Sequence, residues 1–335
     1  DFQDEQYPGF IDVREYSGPV HELGNVKSAQ AQLLAALALL SADPTLYDPE
    51  LAATGERQLA WIDGTFRTGT GGYLSTVSRD GTIVIDDTLT AEAQALAVWA
   101  HARLAGRTRA AEDLAVLRDL ATRLVDTFSN ADGVVADRRF PDGRVTRDVR
   151  VSGAASALVS LALAEAATVT GDGGYADRAR AVLSFATGHL WDTKFDGYWD
   201  HCDLDGRITV HREFITLLNA TIPIKTSATN AWLLLAETAV AALTGADRDQ
   251  GGAGCRVASY LGTLVDEVAG GVFIGEGYFW TPPGTPVGPF ERLMLPSRQT
   301  PGISHFGASS FLRLYNKQPH SQALTAGGLP AGGVG

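Results

Sequence analysis

Asp86 and Asp87 stand side by side ahead of an apolar segment, and Glu92 follows at the start of that segment. Neighbouring carboxyl groups divide into a proton donor and a proton acceptor, because each raises the other's affinity for a proton. The triplet Asp86-Asp87-Thr88 also suits helix capping, where a short oxygen side chain satisfies a free amide. His305 lies in Ile303-Ser304-His305-Phe306-Gly307, at the start of another apolar segment. An imidazole titrates near neutral pH and is a natural acid or base. Lys27 and Lys225 open two further segments of this kind, and Arg150 opens a third. A helix start disfavours a cation, so these positions call for a carboxylate or a ligand oxygen. The catalytic candidates are therefore His305, Glu92, Asp87 and Asp86. The substrate-binding candidates are Lys225, Arg150, Asn230 and Lys27, with Tyr73, Trp199 and Trp280 offering flat faces for stacking.

These residues are positioned by a repeat. Five segments open with polar residues and become apolar and small: from Val26, Thr88, Arg150, Ile224 and Ile303. Each reads as a helix buried on nearly all sides. Between them, residues 48–66, 108–128, 173–190 and 248–268 carry one apolar stripe and one charged face. In the second of these, Leu114, Leu117, Leu120, Ala121 and Leu124 keep helical spacing. After each outer helix comes a Gly-rich stretch, and three of these contain Asp-Gly: Asp80-Gly81, Asp142-Gly143 and Asp205-Gly206. Asp-Gly between alternating residues predicts a hairpin. The order is outer helix, hairpin, buried inner helix.

Such an alternation closes most simply as an all-α toroid of five to six helical hairpins, with short β-hairpins where the inner helices begin. An open helical solenoid that only binds partners is the alternative. Residues 1–25 supply either a sixth element or an irregular plug. Superposing the repeats places Lys27, Leu89, Val151, Lys225 and Ser304 on the first helical turn. Five residues further on stand Gln32, Gln94, Ser156, Asn230 and Ser309, a polar ladder that either bonds internally or lines a wet cavity. Residues 1–317 read as one domain, with residues 281–302 as a lid loop and 318–335 as a disordered tail.

Composition narrows the partners. The 335-residue chain is 45% hydrophobic and 20% charged, with a net charge of −12. That excess argues against a grip on nucleic acid or anionic membrane and leaves a small-molecule substrate and self-association open. Apolar runs fall short of a membrane span, no signal-peptide pattern occurs, and the compartment is open. Cys202 and Cys255 are too few for a disulfide framework. No phosphate-binding loop or dinucleotide glycine pattern is present, so no cofactor is expected. His201-Cys202-Asp203-Leu204-Asp205-Gly206 fits a hairpin turn better than a metal site.

Two resemblances bear on function. Gly71-Gly72-Tyr73 with Arg79-Asp80-Gly81, and Leu190-Trp191-Asp192 with Gly197-Tyr198-Trp199 and Asp205-Gly206, resemble the α/α-barrel proteins grouped with N-acylglucosamine 2-epimerase and cellobiose 2-epimerase. The resemblance covers residues 26–315. It implies two histidines as acid and base. Ser304-His305-Phe306-Gly307 is similar to the stretch that carries one of them, whereas Thr226-Ser227-Ala228-Thr229, before Trp232-Leu233-Leu234, has no histidine where the other belongs. Val84-Ile85-Asp86-Asp87-Thr88 is similar to the acidic motif of class II terpene cyclases, which implies protonation of an alkene by Asp86 or Asp87. The leading expectation is an enzyme acting on a carbohydrate or similar polyhydroxylated molecule by isomerase-type proton transfer. Glycoside hydrolysis, polysaccharide lysis, terpene-like cyclisation and non-catalytic binding are the alternatives.

Overall fold

A computed structural model describes residues 3–12, 25–42, 50–147, 149–194, 196–209, 224–244, 253–265, 275–278 and 292–295. In chain order the elements are β1 (Val26–Ser28), α1 (Ala29–Leu40), α2 (Glu50–Phe66), β2 (Thr76–Ser78), β3 (Val84–Asp86), β4 (Leu89–Thr90), α3 (Ala91–Thr108), α4 (Ala111–Phe128), β5 (Arg138–Arg139), β6 (Val151–Ser152), α5 (Gly153–Thr170), α6 (Gly173–Leu190), β7 (His201–Cys202), β8 (Ile224–Thr226), α7 (Ser227–Thr244), α8 (Ala253–Gly262), β9 (Gly275–Tyr278) and β10 (Arg292–Leu295). The fifth inner segment from Ile303, the tail and most of the expected loop 281–302 lie outside the described residues; the part of that loop that is described, Arg292–Leu295, is not loop but strand β10, paired antiparallel with β9.

The inner helices α1, α3, α5 and α7 pack in sequence, each on the next. The outer helices α2, α4, α6 and α8 pack on the inner helix that precedes each, and α4 and α6 also touch the inner helix that follows. This is an α/α toroid-like arrangement. Leu96, Leu158 and Leu163 of α3 and α5 are fully or almost fully buried, each contributing about 1.5–3 kcal/mol of apolar transfer. The outer helix α4 buries Leu117, Leu120, Ala121, Leu124 and Phe128 and turns its charged face outward. α5 is apolar and long enough to cross a membrane by length and composition, contrary to the expectation that no run qualifies. It is mostly buried between α3, α6 and α7, as a core helix is.

One joint recurs. The strand before each inner helix pairs antiparallel with the hairpin that follows the next outer helix: β1 with β2, β4 with β5, β6 with β7, and β8 with β9. The strand then ends on a cap. Ser28, Thr90, Ser152 and Thr226 accept from the amides of Ala31, Ala93, Ala155 and Thr229 at 3.2–3.3 Å. Lys27, Leu89, Val151 and Lys225 therefore lie on strands, not on the first helical turn where superposed sequences put them. The β-branched or hydroxyl cap and the cross-strand pairing hold these positions extended.

A second joint precedes each strand. The amides of Asp4, Thr68, Asn130 and Asp192 donate to the carbonyls of Gly9, Gly72, Val134 and Gly197 at 2.7–3.1 Å. Residues 3–12 thus form the same turn that closes the other repeats, ahead of α1. Their place in the fold is a repeat element, not an irregular plug.

Candidate functional site

The polar ladder turns out to build the wall. Gln94 accepts from the Tyr73 amide and donates to the Tyr73 carbonyl, both at 2.8 Å. Asn230 clamps Tyr198 in the same way, at 2.7 and 3.1 Å. Gln32 clamps Phe10, with both bonds at 2.8 Å. Ser156 is too short to reach, and its buried hydroxyl has no partner among the described residues. Asn230 is accordingly a structural clamp and not a ligand contact, because both ends of its amide are committed to backbone.

The lysines are also inside the wall. Lys225 is fully buried, and its ammonium donates to Asp192 at 2.9 Å and to the Asp196 carbonyl at 2.7 Å. Trp199 and Tyr260 lie 5.1 and 5.0 Å from the same ammonium, ring centroid to nitrogen. Lys27 repeats this: it pairs with Asp4 at 3.0 Å, donates to the Pro8 carbonyl, and lies 5.4 Å from the Trp61 ring. Arg79 holds Asp4 from the other side, and that guanidinium keeps the Asp4 carboxyl far below the usual carboxylate range. Both lysines serve the two longer turns, Asp4–Gly9 and Asp192–Gly197. Gly197 has φ +77°, and a Cβ there would meet the Tyr260 ring at 2.8 Å, so glycine lets the ring cover the ammonium. In the two shorter turns the lysine position holds Leu89 or Val151. The expectation that Lys27 and Lys225 meet substrate is corrected: an ammonium this buried requires a carboxylate partner, and each has one.

Tyr73 is likewise not at the surface. It is fully buried, and its hydroxyl donates to Asp63 at 2.6 Å with His101 Nε2 at 3.3 Å. Tyr198, its counterpart, donates to Glu237 at 2.7 Å. Trp199 is half-buried against Lys225. Asp86 does not cap α3, a role taken by Thr90. It accepts from the amide and hydroxyl of Thr88 at 3.0 and 2.7 Å, ordering the approach to β4. Asp87 is exposed. His305 and Trp280 lie outside the described residues.

What remains at the hairpin end is a carboxyl cluster. Glu92, the second residue of α3, is half-buried. Burial first, and the charge of Asp137 second, push its carboxyl above the usual range, while Gln30 and Arg138 oppose that. Asp137 is pushed up by burial too, against the Arg150 amide and the charges of Arg150 and Arg138. Asp200 is pushed up to about 6, mainly by burial, with the charge of Glu92 adding to it. Backbone ties fix the positions. Asp137 accepts from the Arg150 amide at 3.1 Å, and Asp200 accepts from the amide and hydroxyl of Thr226 at 2.8 and 2.9 Å. Asp12, at the equivalent place ahead of α1, accepts from the Ser28 amide at 2.7 Å.

Glu92 and Arg150 are thus sequence candidates that each interact with Asp137, and Asp86 lies 3.9 Å from Arg138. Asp137, Asp200 and Arg138 were not singled out in the sequence. A signal existed: Asp12 and Asp200 stand two residues beyond the clamped Phe10 and Tyr198, and Asp137 stands two beyond the equivalent Val135. Among the described residues no group of three or more His, Cys, Asp or Glu side chains is placed to hold a metal ion. Cys202 is a free, buried thiol, pushed up to about 12 by burial.

No family model matches the chain, and no curated protein matches it in sequence. Solved structures do match in fold. A cellobiose 2-epimerase from Bacillus thermoamylovorans aligns with a TM-score of 0.68 at 12% identity, over 82% of this chain and 70% of that one. A D-mannose isomerase aligns with a TM-score of 0.62 at 15% identity, over 83% and 72%. A family 76 glycoside hydrolase, an α-mannanase from Bacteroides thetaiotaomicron, aligns with a TM-score of 0.57 at 11% identity, over 80% and 65%. The likeness at these identities is one of fold, and it is a distant resemblance to the α/α barrels of the cellobiose and N-acylglucosamine 2-epimerases.

Proposed function

We propose that the protein is an enzyme acting on a carbohydrate at the hairpin end of the inner helices, by proton transfer through Glu92. The observation that carries this reading is Glu92 at the start of α3, a place that holds Gln30, Ala154 or Ala228 in the other repeats, where burial first and the charge of Asp137 second raise its carboxyl, as burial raises Asp137 and Asp200. A carboxyl group poised closer to neutrality both gives and takes a proton efficiently. In isomerisation, one group removes the proton next to the sugar carbonyl and another protonates the oxygen. Glu92 supplies one of these groups in this reading, and His305 is the proposed second. The fold likeness to an epimerase and an isomerase supports the assignment.

Glycoside hydrolysis is the second reading. It needs a protonated acid and an ionised carboxylate, and a cluster of carboxyls in unequal surroundings offers both. The fold likeness to an α-mannanase favours it. One experiment separates the two. Aldoses are incubated with the protein in D2O and followed by proton NMR, beside a parallel assay for aryl α-mannoside cleavage. Isomerase chemistry exchanges the C2 proton, and Glu92→Gln slows that exchange at least about 100-fold. Aryl glycoside cleavage without exchange establishes the hydrolase reading. Full activity in Glu92→Gln refutes both.

A further inference from the structure

The hairpin between α4 and α5 differs from its sisters in charge. Residues 137–150 hold five arginines against three aspartates, in a chain with a net charge of −12. The corresponding residues 75–88 hold one arginine against three aspartates. The β-ladders fix the comparison position by position. Arg138 pairs with the cap Thr90, just as Thr76 pairs with Ser28 and His201 with Ser152. Arg150, the residue before β6, corresponds to Thr88 before β4. The repeat is built equally well with threonine at both positions, so the fold does not require the arginines.

Their surroundings leave donors open. Arg138 is half-exposed and stands 3.9 Å from Asp86, too far for a hydrogen bond. The Arg150 Nε is buried and has no acceptor among the described residues. Their backbones border Glu92 and Asp137, since Arg138 is cross-strand from the cap of α3, the Asp137 amide donates to the Arg150 carbonyl, and the Arg150 amide donates to the Asp137 carboxylate. A buried guanidinium nitrogen without an acceptor costs free energy until an oxygen reaches it. Carboxylate and phosphoryl oxygens, which accept two parallel N–H bonds, match this fork best. A neutral sugar offers only hydroxyls, which meet the fork less well.

We infer that the substrate of this site is an anionic sugar, held through its carboxylate or phosphoryl oxygens by Arg138 and Arg150 beside Glu92. This inference rests on the carbohydrate reading above and adds the charge of the substrate. It also explains how an acidic protein admits an anion, because the local hairpin reverses the overall sign.

The test uses matched sugars and calorimetric titration of the full chain. The probes are D-mannose, D-mannuronate and D-mannose 6-phosphate, with D-glucose, D-glucuronate and D-glucose 6-phosphate as a second series. An anionic member should bind at least about tenfold tighter than its neutral parent, and more weakly as salt is raised. The uronate and phosphate arms decide which oxyanion is meant. Arg138→Gln and Arg150→Gln should each lower the anionic affinity about tenfold more than the affinity for the neutral parent. Arg147→Gln, on the same hairpin and exposed, should change nothing. Equal affinity for neutral and anionic sugars overturns the inference, as does unchanged binding in both variants. Turnover of a neutral sugar with no anionic binding sinks this inference alone. Absence of binding and turnover for every sugar sinks the carbohydrate reading with it.

Discussion

Asp200→Asn should stabilise the protein at neutral and alkaline pH and have no effect in acid. Asp200 is 6% exposed, and burial raises its carboxyl to about 6 against an ordinary value of 3.8. Between those values the folded chain holds a proton that the unfolded chain has lost. Stability therefore falls as pH rises through this window, and above about pH 6 the full cost of a buried charge is present. At about 1.4 kcal/mol per tenfold, the difference amounts to about 3 kcal/mol. An asparagine of the same shape keeps an oxygen for the amide and hydroxyl of Thr226, both of which Asp200 now accepts. It removes the charge. Urea unfolding from pH 4 to pH 8 should show the variant equal to wild type at pH 4. It should then gain about 3 kcal/mol by pH 8, or roughly 4 °C in Tm for a chain of this length. An equal stability at pH 8, or a gain already complete at pH 4, would refute the argument that desolvation sets this carboxyl.

Two further outcomes follow from the wall. Lys225→Met should cost about 3–5 kcal/mol in urea unfolding, because Asp192 keeps its charge and loses the ammonium at 2.9 Å. Adding Asp192→Leu should recover much of that, and no recovery would show that the pair is not coupled. Tyr198→Phe should cost about 1–3 kcal/mol by leaving Glu237 without its hydroxyl donor, while Tyr198→Phe with Glu237→Leu should return to within about 1 kcal/mol of wild type. The repeat register offers the same exchange: the positions of Tyr73 and Tyr198 hold Phe10 and Val135 elsewhere, and the positions of His101 and Glu237 hold Leu39 and Leu163.

The helices were legible because burial leaves a plain mark. An inner helix such as α5 must be apolar on every side, and an outer one such as α4 on a single stripe, so the repeat and its order could be read from the sequence. The Asp-Gly turns were legible for a similar reason, since Gly81, Gly143 and Gly206 all have positive φ. The boundary between strand and helix was not. Lys27 and Lys225 belong to three-residue strands held by a ladder to a hairpin some 50 residues away in the chain and by carboxylates equally remote from the local pattern. No local pattern announces such a pairing. The carboxyl cluster was half legible: Glu92 was visible beside the helix start, but Asp137 and Asp200 looked like ordinary turn residues until the strands set them next to it.

A polar residue in a repeated wall has two sources, and the repeat itself separates them. A residue that serves the fold recurs together with its partner. Gln32, Gln94 and Asn230 recur with a backbone to clamp. Lys27 and Lys225 recur with Asp4 and Asp192, and both are missing together where the turn is one residue shorter. By that criterion Asp137 and Asp200 are partly structural, since Asp12 repeats them and all three tie a hairpin to the following strand. Glu92 breaks the pattern. Its counterparts are Gln30, Ala154 and Ala228, so the helix start needs no acid there, and burial makes the acid costly. Arg138 and Arg150 break it in the same way and at the same end of the same two helices. Three departures that the fold does not require stand around Asp137, whose charge, after burial, raises the Glu92 carboxyl, and it is on this convergence that the proposed ligand site rests.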